Sequence, residues 1–254
     1  MLNKFHTQGF SLLRNFLTAG ELAELNQVLR AFHRAWLEDN AEAYQRGAIN
    51  SAYLTGARYL NSRARQTLWG FLASNQLMAQ VAQVFSEPAC FMNTQLFFDP
   101  FNPEQKNYWH RDFQYHLNLA EQQQALSGPQ VIHFRIPMVP ERGIELVPSS
   151  HKRWDTAEEL DVRLERNGRR CFDPLSNATR LALNAGDLLI FSAACIHRGL
   201  YGLNRLALDI LFCDPAPELL RHINADCLPT AADMARMQNP AAFLRASNCV
   251  VSGK

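Results

Sequence analysis

The chain has no apolar run long enough to span a bilayer, no closely paired cysteines and no surplus of either charge. Each absence removes a class of function. A membrane-crossing helix needs about 20 consecutive apolar residues, so a membrane is not expected as a partner. Lys and Arg number 25 against 24 Asp and Glu, a formal net charge of +1. Nothing in that balance steers the chain to nucleic acid or to an anionic surface. The six cysteines (Cys90, Cys171, Cys195, Cys213, Cys227, Cys249) are scattered, with no CxxC pair. They read as reduced, buried core filler, not as a metal or disulfide framework. The first residues lack the apolar core of a signal peptide, and a cytoplasmic location is expected. Repeats and low-complexity linkers are missing too.

What is present is a globular composition: 47% hydrophobic against 19% charged residues, enough apolar surface for a core and too little charge for disorder. The 254 residues suit one barrel or sandwich with helical decoration. We read residues 1–254 as a single domain. Within it, 1–88 form a mostly helical front with a candidate lid, 89–213 a strand-rich core, and 214–254 a C-terminal tail.

Gly9 to Leu13 alternates as a first strand does. Thr18 then caps a helix, with Glu21 completing a capping box. Leu22, Leu25, Leu29, Phe32 and Trp36 follow at helical spacing. Residues 40–66 are polar and poorly periodic, the candidate lid, and carry Arg46, Arg58, Arg63 and Arg65 beside Tyr44, Tyr53 and Tyr59. A second helix starts at Ser74 and stops before Pro88. Strands are then predicted at Ala89–Phe98, Tyr108–Asp112, Gln130–Val139, Ile144–Val147, Thr179–Leu183, Asp187–Ser192 and Arg205–Cys213. Turn residues separate them, including Arg142-Gly143 and the stretch from Gly199 to Asn204. Lys152 to Arg170 is a charged insert with a short helix after Asp155, and Thr230 to Met237 is a capped stretch followed by polar residues. The order predicts a mainly β fold with flanking helices: a double-stranded β-helix, or jelly-roll (cupin-like) barrel.

His110 and Asp112 are two residues apart, so on a strand they share a face, with Tyr108, while Trp109 and Arg111 point the other way. His197 ends a buried apolar strand just before a glycine-rich turn. Two imidazoles and one carboxylate are the facial set of non-haem Fe(II) oxygenases, which leaves positions open on the metal. With eight histidines and eleven aspartates, an HxD tripeptide arises by chance about a third of the time. The tripeptide alone therefore decides nothing. Arg205 opens an apolar strand and needs a partner: either a co-substrate carboxylate, matched bidentately by a guanidinium, or an ordinary salt bridge to Asp209 or Asp187. His133 lies on an apolar strand and faces either the site or the core; His116 is open on the same grounds.

Taken together, these segments resemble the phytanoyl-CoA dioxygenase family of Fe(II)/2-oxoglutarate-dependent oxygenases. Gly9 to Leu17 with the following helix resembles the family's opening. Trp109-His110-Arg111-Asp112 is similar to its first metal motif, Gly143 to Lys152 to its G-x-L-x-x-x-P-G-S-H-K segment, and Gly186 to Phe191 with His197 to its second metal motif. Ser149 stands where that segment usually has glycine. The resemblance implies Fe(II) ligands at His110, Asp112 and His197. It implies 2-oxoglutarate contacts at Arg205 for the distal carboxylate and at Gln95 and Asn93 for the keto-acid end. Tyr108, Phe97 and His133 are candidate substrate contacts. The interval from His197 to Arg205 is shorter than is usual in the family, so the hairpin between them must be tight. His151 is expected to be structural.

The resemblance also implies a reaction: O2 and 2-oxoglutarate consumed on Fe(II), succinate and CO2 released, and an aliphatic C–H of a small molecule oxidised. Family members that halogenate lack the carboxylate, so Asp112 argues against halogenation and makes hydroxylation the default, with desaturation, epimerisation and ring formation left open. The expected state is a monomer or homodimer. Two other readings make different predictions: a non-catalytic ligand-binding barrel takes up no metal, and a cupin-like metal enzyme that does not use 2-oxoglutarate releases no succinate.

Overall fold

The computed structural model describes residues 2–252. Among the described residues, nine strands form two antiparallel sheets: β1 (Phe10–Leu13), β2 (Asn50–Ala52), β3 (Cys90–Phe98), β4 (Val131–Pro137), β5 (Glu141–Leu146), β6 (Thr179–Leu183), β7 (Leu188–Ser192), β8 (His197–Gly199) and β9 (Leu206–Cys213). The large sheet runs β1-β7-β4-β9-β3-β2 and the small one β6-β5-β8. Together they make an open double-stranded β-helix with helices on the outside of the large sheet.

Strand parity decides what faces where. Ile132, Phe134 and Ile136 of β4, Leu206, Leu208, Ile210 and Phe212 of β9, and Leu188 and Ile190 of β7 pack on the helices, in one core with Leu25, Leu29, Phe32 and Trp36. Leu189 and Phe191 of β7 face the other way and meet Ile144, Leu146 and Leu183 of the small sheet. On the opposite face, His133 and Arg135 of β4 and Asp209 and Leu211 of β9 line a cavity. Covered on both sides, β9 is buried along its whole length, which is why it reads as an unbroken apolar run. Burying one such Leu or Phe side chain contributes about 1.5–3 kcal/mol.

The helix Ala19–Asp39 carries the Thr18–Glu21 capping box, and Asn75–Val84 starts after Ser74, which caps Leu77 N–H. The short helix of the insert, Ala157–Arg163, is capped by Thr156.

Several expectations need correction. Tyr108–Asp112 is not a strand: only His110 pairs, in an isolated bridge to His197, and Asp112 opens a short 3-10 turn, Asp112–Tyr115. Arg142-Gly143 is not a turn but a bulge inside β5. Gly143 has φ +90°, and a Cβ there would collide with the Leu181 carbonyl. A helix, Leu2–Gln8, precedes β1. Another, Ser62–Leu72, occupies the end of the candidate lid. The polar stretch after Met237 is also helical, Ala241–Ser252, and its Phe243 packs 4.7 Å from Phe91 and 5.4 Å from Trp69, centroid to centroid. The six cysteines are free, and among the described residues no helix is long and apolar enough to cross a membrane.

Candidate metal centre

Backbone pairing brings the candidate ligands together. His110 N–H donates to the His197 carbonyl at 3.0 Å, His197 N–H returns the bond at 2.9 Å, and Asp112 N–H reaches Ala193 O at 3.1 Å. The ligand atoms of His110, Asp112 and His197 all lie within 4.8 Å of one another. Each imidazole is oriented by its other nitrogen: His110 Nδ1 donates to Tyr108 O at 3.1 Å and His197 Nδ1 to Cys195 O at 3.0 Å. A carbonyl only accepts, so both Nδ1 atoms carry the proton and both Nε2 lone pairs are free. Those Nε2 atoms stand 3.5 and 3.4 Å from Asp112 Oδ1.

The electrostatics agree with the geometry. Burial, helped by His110, lowers the His197 pKa to about 3, and burial lowers that of His110. Asp112 is held far below the usual carboxylate range: burial opposes its charge, but His133, His197 and His110 outweigh burial. Two neutral imidazoles and one ionised carboxylate form the donor set that suits divalent iron.

Trp109 and Arg111, on either side of His110, point away from the ligand set. Trp109 is fully buried with Val147, Val162, Leu175 and Ile196. Arg111 is fully buried as well. Its guanidinium donates to Asp155 Oδ1 at 2.7 and 3.0 Å, to the Ser150 carbonyl at 2.7 Å and to the Ala194 carbonyl. Asp155 also accepts from Arg163 at 2.6 Å.

The three atoms lie on the wall of a cavity of about 1000 Å³, which Asn93, Gln95, Phe97, Tyr108, His133 and Arg205 also line. Arg205 is 3% exposed. It stacks 5.2 Å over Phe97 and 5.7 Å from Tyr201. The alternative partner, a salt bridge to Asp209 or Asp187, is not taken. Asp187 pairs with Arg14 at 2.6 Å, Asp209 with His133, and Arg205 Nε instead lies 3.5 Å from Glu141 Oε2. That carboxylate is already held by Arg135 at 3.1 Å through both oxygens. Two buried guanidiniums thus share one carboxylate, and Arg205 Nε and Nη1 have no hydrogen-bond partner. A buried cation with unfilled donors is matched by an anionic ligand.

The hairpin before Arg205 is tight, as the short interval requires. Gly202, Leu203 and Asn204 all have positive φ (105°, 67° and 55°), and Asp99 caps the turn from Gly202 N–H at 2.6 Å and Arg205 N–H at 3.0 Å. Gly199 lies flat beneath the guanidinium.

His133 is not an isolated core residue: its Nε2 lies 2.6 Å from Asp112 Oδ2. Of the candidate lid, Asn50 and Tyr53 reach the cavity, while Arg58 pairs with Asp39 and Arg46 with Glu42. Ser149 adopts φ 65°, the left-handed conformation that glycine takes most readily, which accounts for glycine being usual there. Sequence reasoning missed Arg135 and Glu141. The signal for Arg135 was parity, since it shares a face with His133 on β4. Glu141 offered none, because its partners depend on the hairpin between β4 and β5.

The profile of the phytanoyl-CoA dioxygenase family matches residues 5–201. The chain belongs to that family. It is therefore an oxidoreductase of the dioxygenase kind, with the metal-motif segments inside the matched region. No curated protein matches the chain. Among solved structures, AviO1 from Streptomyces viridochromogenes aligns at 19% identity and TM-score 0.60, over 85% of this chain and 94% of that one. HygX from Streptomyces hygroscopicus, solved with nickel and 2-oxoglutarate bound, aligns at 14% identity and TM-score 0.61, over 83% and 84%. EctD from S. alaskensis, solved with 2-oxoglutarate and 5-hydroxyectoine, aligns at 14% identity and TM-score 0.57, over 83% and 74%. At these identities the likeness is one of fold, and it fits the jelly-roll architecture of this member of the dioxygenase family.

Proposed function

We propose that the protein is an Fe(II)- and 2-oxoglutarate-dependent dioxygenase that hydroxylates an aliphatic C–H of a small molecule. The observation that carries this reading is the convergence of His110, Asp112 and His197 on the wall of a cavity that also holds the unfilled guanidinium of Arg205. When bound, iron with 2-oxoglutarate and O2 supplies the oxidant for the C–H bond and releases succinate and CO2.

The chain's own residues hold and orient. His110 and His197 donate Nε2, and Asp112 donates a carboxylate oxygen. Arg205 takes the distal carboxylate of 2-oxoglutarate with Phe97 and Tyr201 as its walls. Gln95 and Asn93 attend the keto-acid end. Tyr108, whose hydroxyl is 2.9 Å from that of Tyr115, lies toward the substrate with Phe97. This division of labour is positioning, which is most of what a protein contributes to such chemistry.

The test is anaerobic addition of Fe(II) and 2-oxoglutarate to the purified protein. A weak visible charge-transfer band is expected, absent from His110→Ala and Asp112→Ala. A folded native protein with no band, or a band that survives in both variants, overturns the assignment. Succinate release across a panel of small molecules then finds the substrate.

A further inference from the structure

His133 and Asp209 have no role in the reading above, yet they form a buried charged pair directly behind Asp112. His133 is 3% and Asp209 1% exposed. His133 Nδ1 lies 3.2 Å from both Asp209 oxygens, and its Nε2 lies 2.6 Å from Asp112 Oδ2. Its ring is stacked on Phe191 at 4.5 Å and 14°, so it cannot swing aside without losing that contact. The two carboxylates accept and do not donate. Each ring nitrogen faces an oxygen of a different carboxylate, so His133 bridges Asp209 and Asp112.

The bridge engages one oxygen of Asp112 and leaves the other. Oδ2 accepts from His133, while Oδ1 is the oxygen nearest the two free imidazole nitrogens. A buried ion pair is a poor source of stability, because desolvating two charges offsets their attraction. Its placement against a candidate ligand gives it a different use.

We propose that His133, held by Asp209, is a positioning residue for the metal site: it fixes the Asp112 carboxylate so that Oδ1 alone is presented to the metal. The proposal rests on the metal-centre reading above. Partners of this kind typically change metal affinity 10- to 100-fold when removed.

The experiment is anaerobic titration of the protein with Fe(II), and with Co(II) as a spectroscopic probe. His133→Ala is the direct variant. It leaves Asp209 buried and unpaired, which threatens the fold. The double variant His133→Leu with Asp209→Leu removes both charges at once and keeps the volume apolar. Its thermal unfolding is expected at or above the native temperature. Its metal affinity is expected to fall about 10- to 100-fold, with an altered Co(II) absorption spectrum. A folded double variant with native affinity and a native Co(II) spectrum overturns the positioning role and leaves the metal centre standing. If the native protein takes up neither ion, the metal-centre reading itself fails.

Discussion

His110 and His197 are locked to each other main chain to main chain, each N–H donating to the other's carbonyl at 3.0 and 2.9 Å. Residues far apart in sequence are thereby fixed by backbone bonds that do not depend on either imidazole. This separates the folding of the site from its chemistry.

The first prediction follows. His110→Ala deletes a ring but not the backbone ring of hydrogen bonds. Its stability in urea is expected to change by no more than about 1 kcal/mol, while Fe(II) uptake is lost. A variant that unfolds in parallel with its metal loss contradicts this separation.

The second concerns Arg205. Removing it leaves Glu141 still paired bidentately with Arg135, so no buried charge is orphaned. Arg205→Ala is expected to fold and to bind metal normally. Its KM for 2-oxoglutarate should rise about 100-fold, roughly 2.7 kcal/mol of lost binding. Steady-state succinate formation measures it.

Gly199→Ala gives a subtler version. A Cβ there would sit 2.5 Å from Arg205 Nη2, so the guanidinium must shift while the backbone need not. We expect an unchanged melting temperature and a KM for 2-oxoglutarate raised about tenfold, or about 1.4 kcal/mol. An unchanged KM would show that Arg205 is not where the co-substrate is held.

Asp155 bears two buried guanidiniums, Arg111 and Arg163, at 2.7 and 2.6 Å. Asp155→Ala leaves both without their carboxylate. The expected loss is about 3–5 kcal/mol, read from denaturant unfolding of the metal-free protein.

The pH dependence of stability should carry a contribution from His151. Burial, with Lys152 nearby, lowers its pKa to about 4, against an ordinary value of 6.5. On acidification the unfolded chain therefore takes up this proton first. The contribution is complete above about pH 6.5 and is lost as pH falls toward 4, at a slope of at most about 1.4 kcal/mol per unit. His151→Asn should flatten unfolding free energy against pH in that window relative to the native protein; an identical slope would contradict it.

The strands of the core were legible because both periodicities are strong there. The alternation in β4 and the continuous apolar run of β9 leave little choice of face. The capping box at Thr18 and the short helix after Asp155 were legible because their signals are local. The metal-motif strand was misread for a physical reason. Alternation of exposure along Tyr108 to Asp112 is real, but a single bridge to His197 maintains it instead of a ladder. The edge strands β2 and β8 are three residues each, too short to show a period. What could not be read at all was pairing: that Glu141 would meet Arg205, or that His133 would stand between Asp112 and Asp209, depends on strand order and not on composition.

Arg111 stands between two candidate ligands, yet its guanidinium is anchored in the opposite wall. A substitution scan from Tyr108 to Asp112 should therefore split by parity. Changes at the even positions would give proteins that melt normally and fail in assay. Changes at Trp109 and Arg111 would give proteins that fail in assay because they no longer hold together. An activity screen alone would score all five as one catalytic motif; only a melting curve beside it would show two interleaved ones.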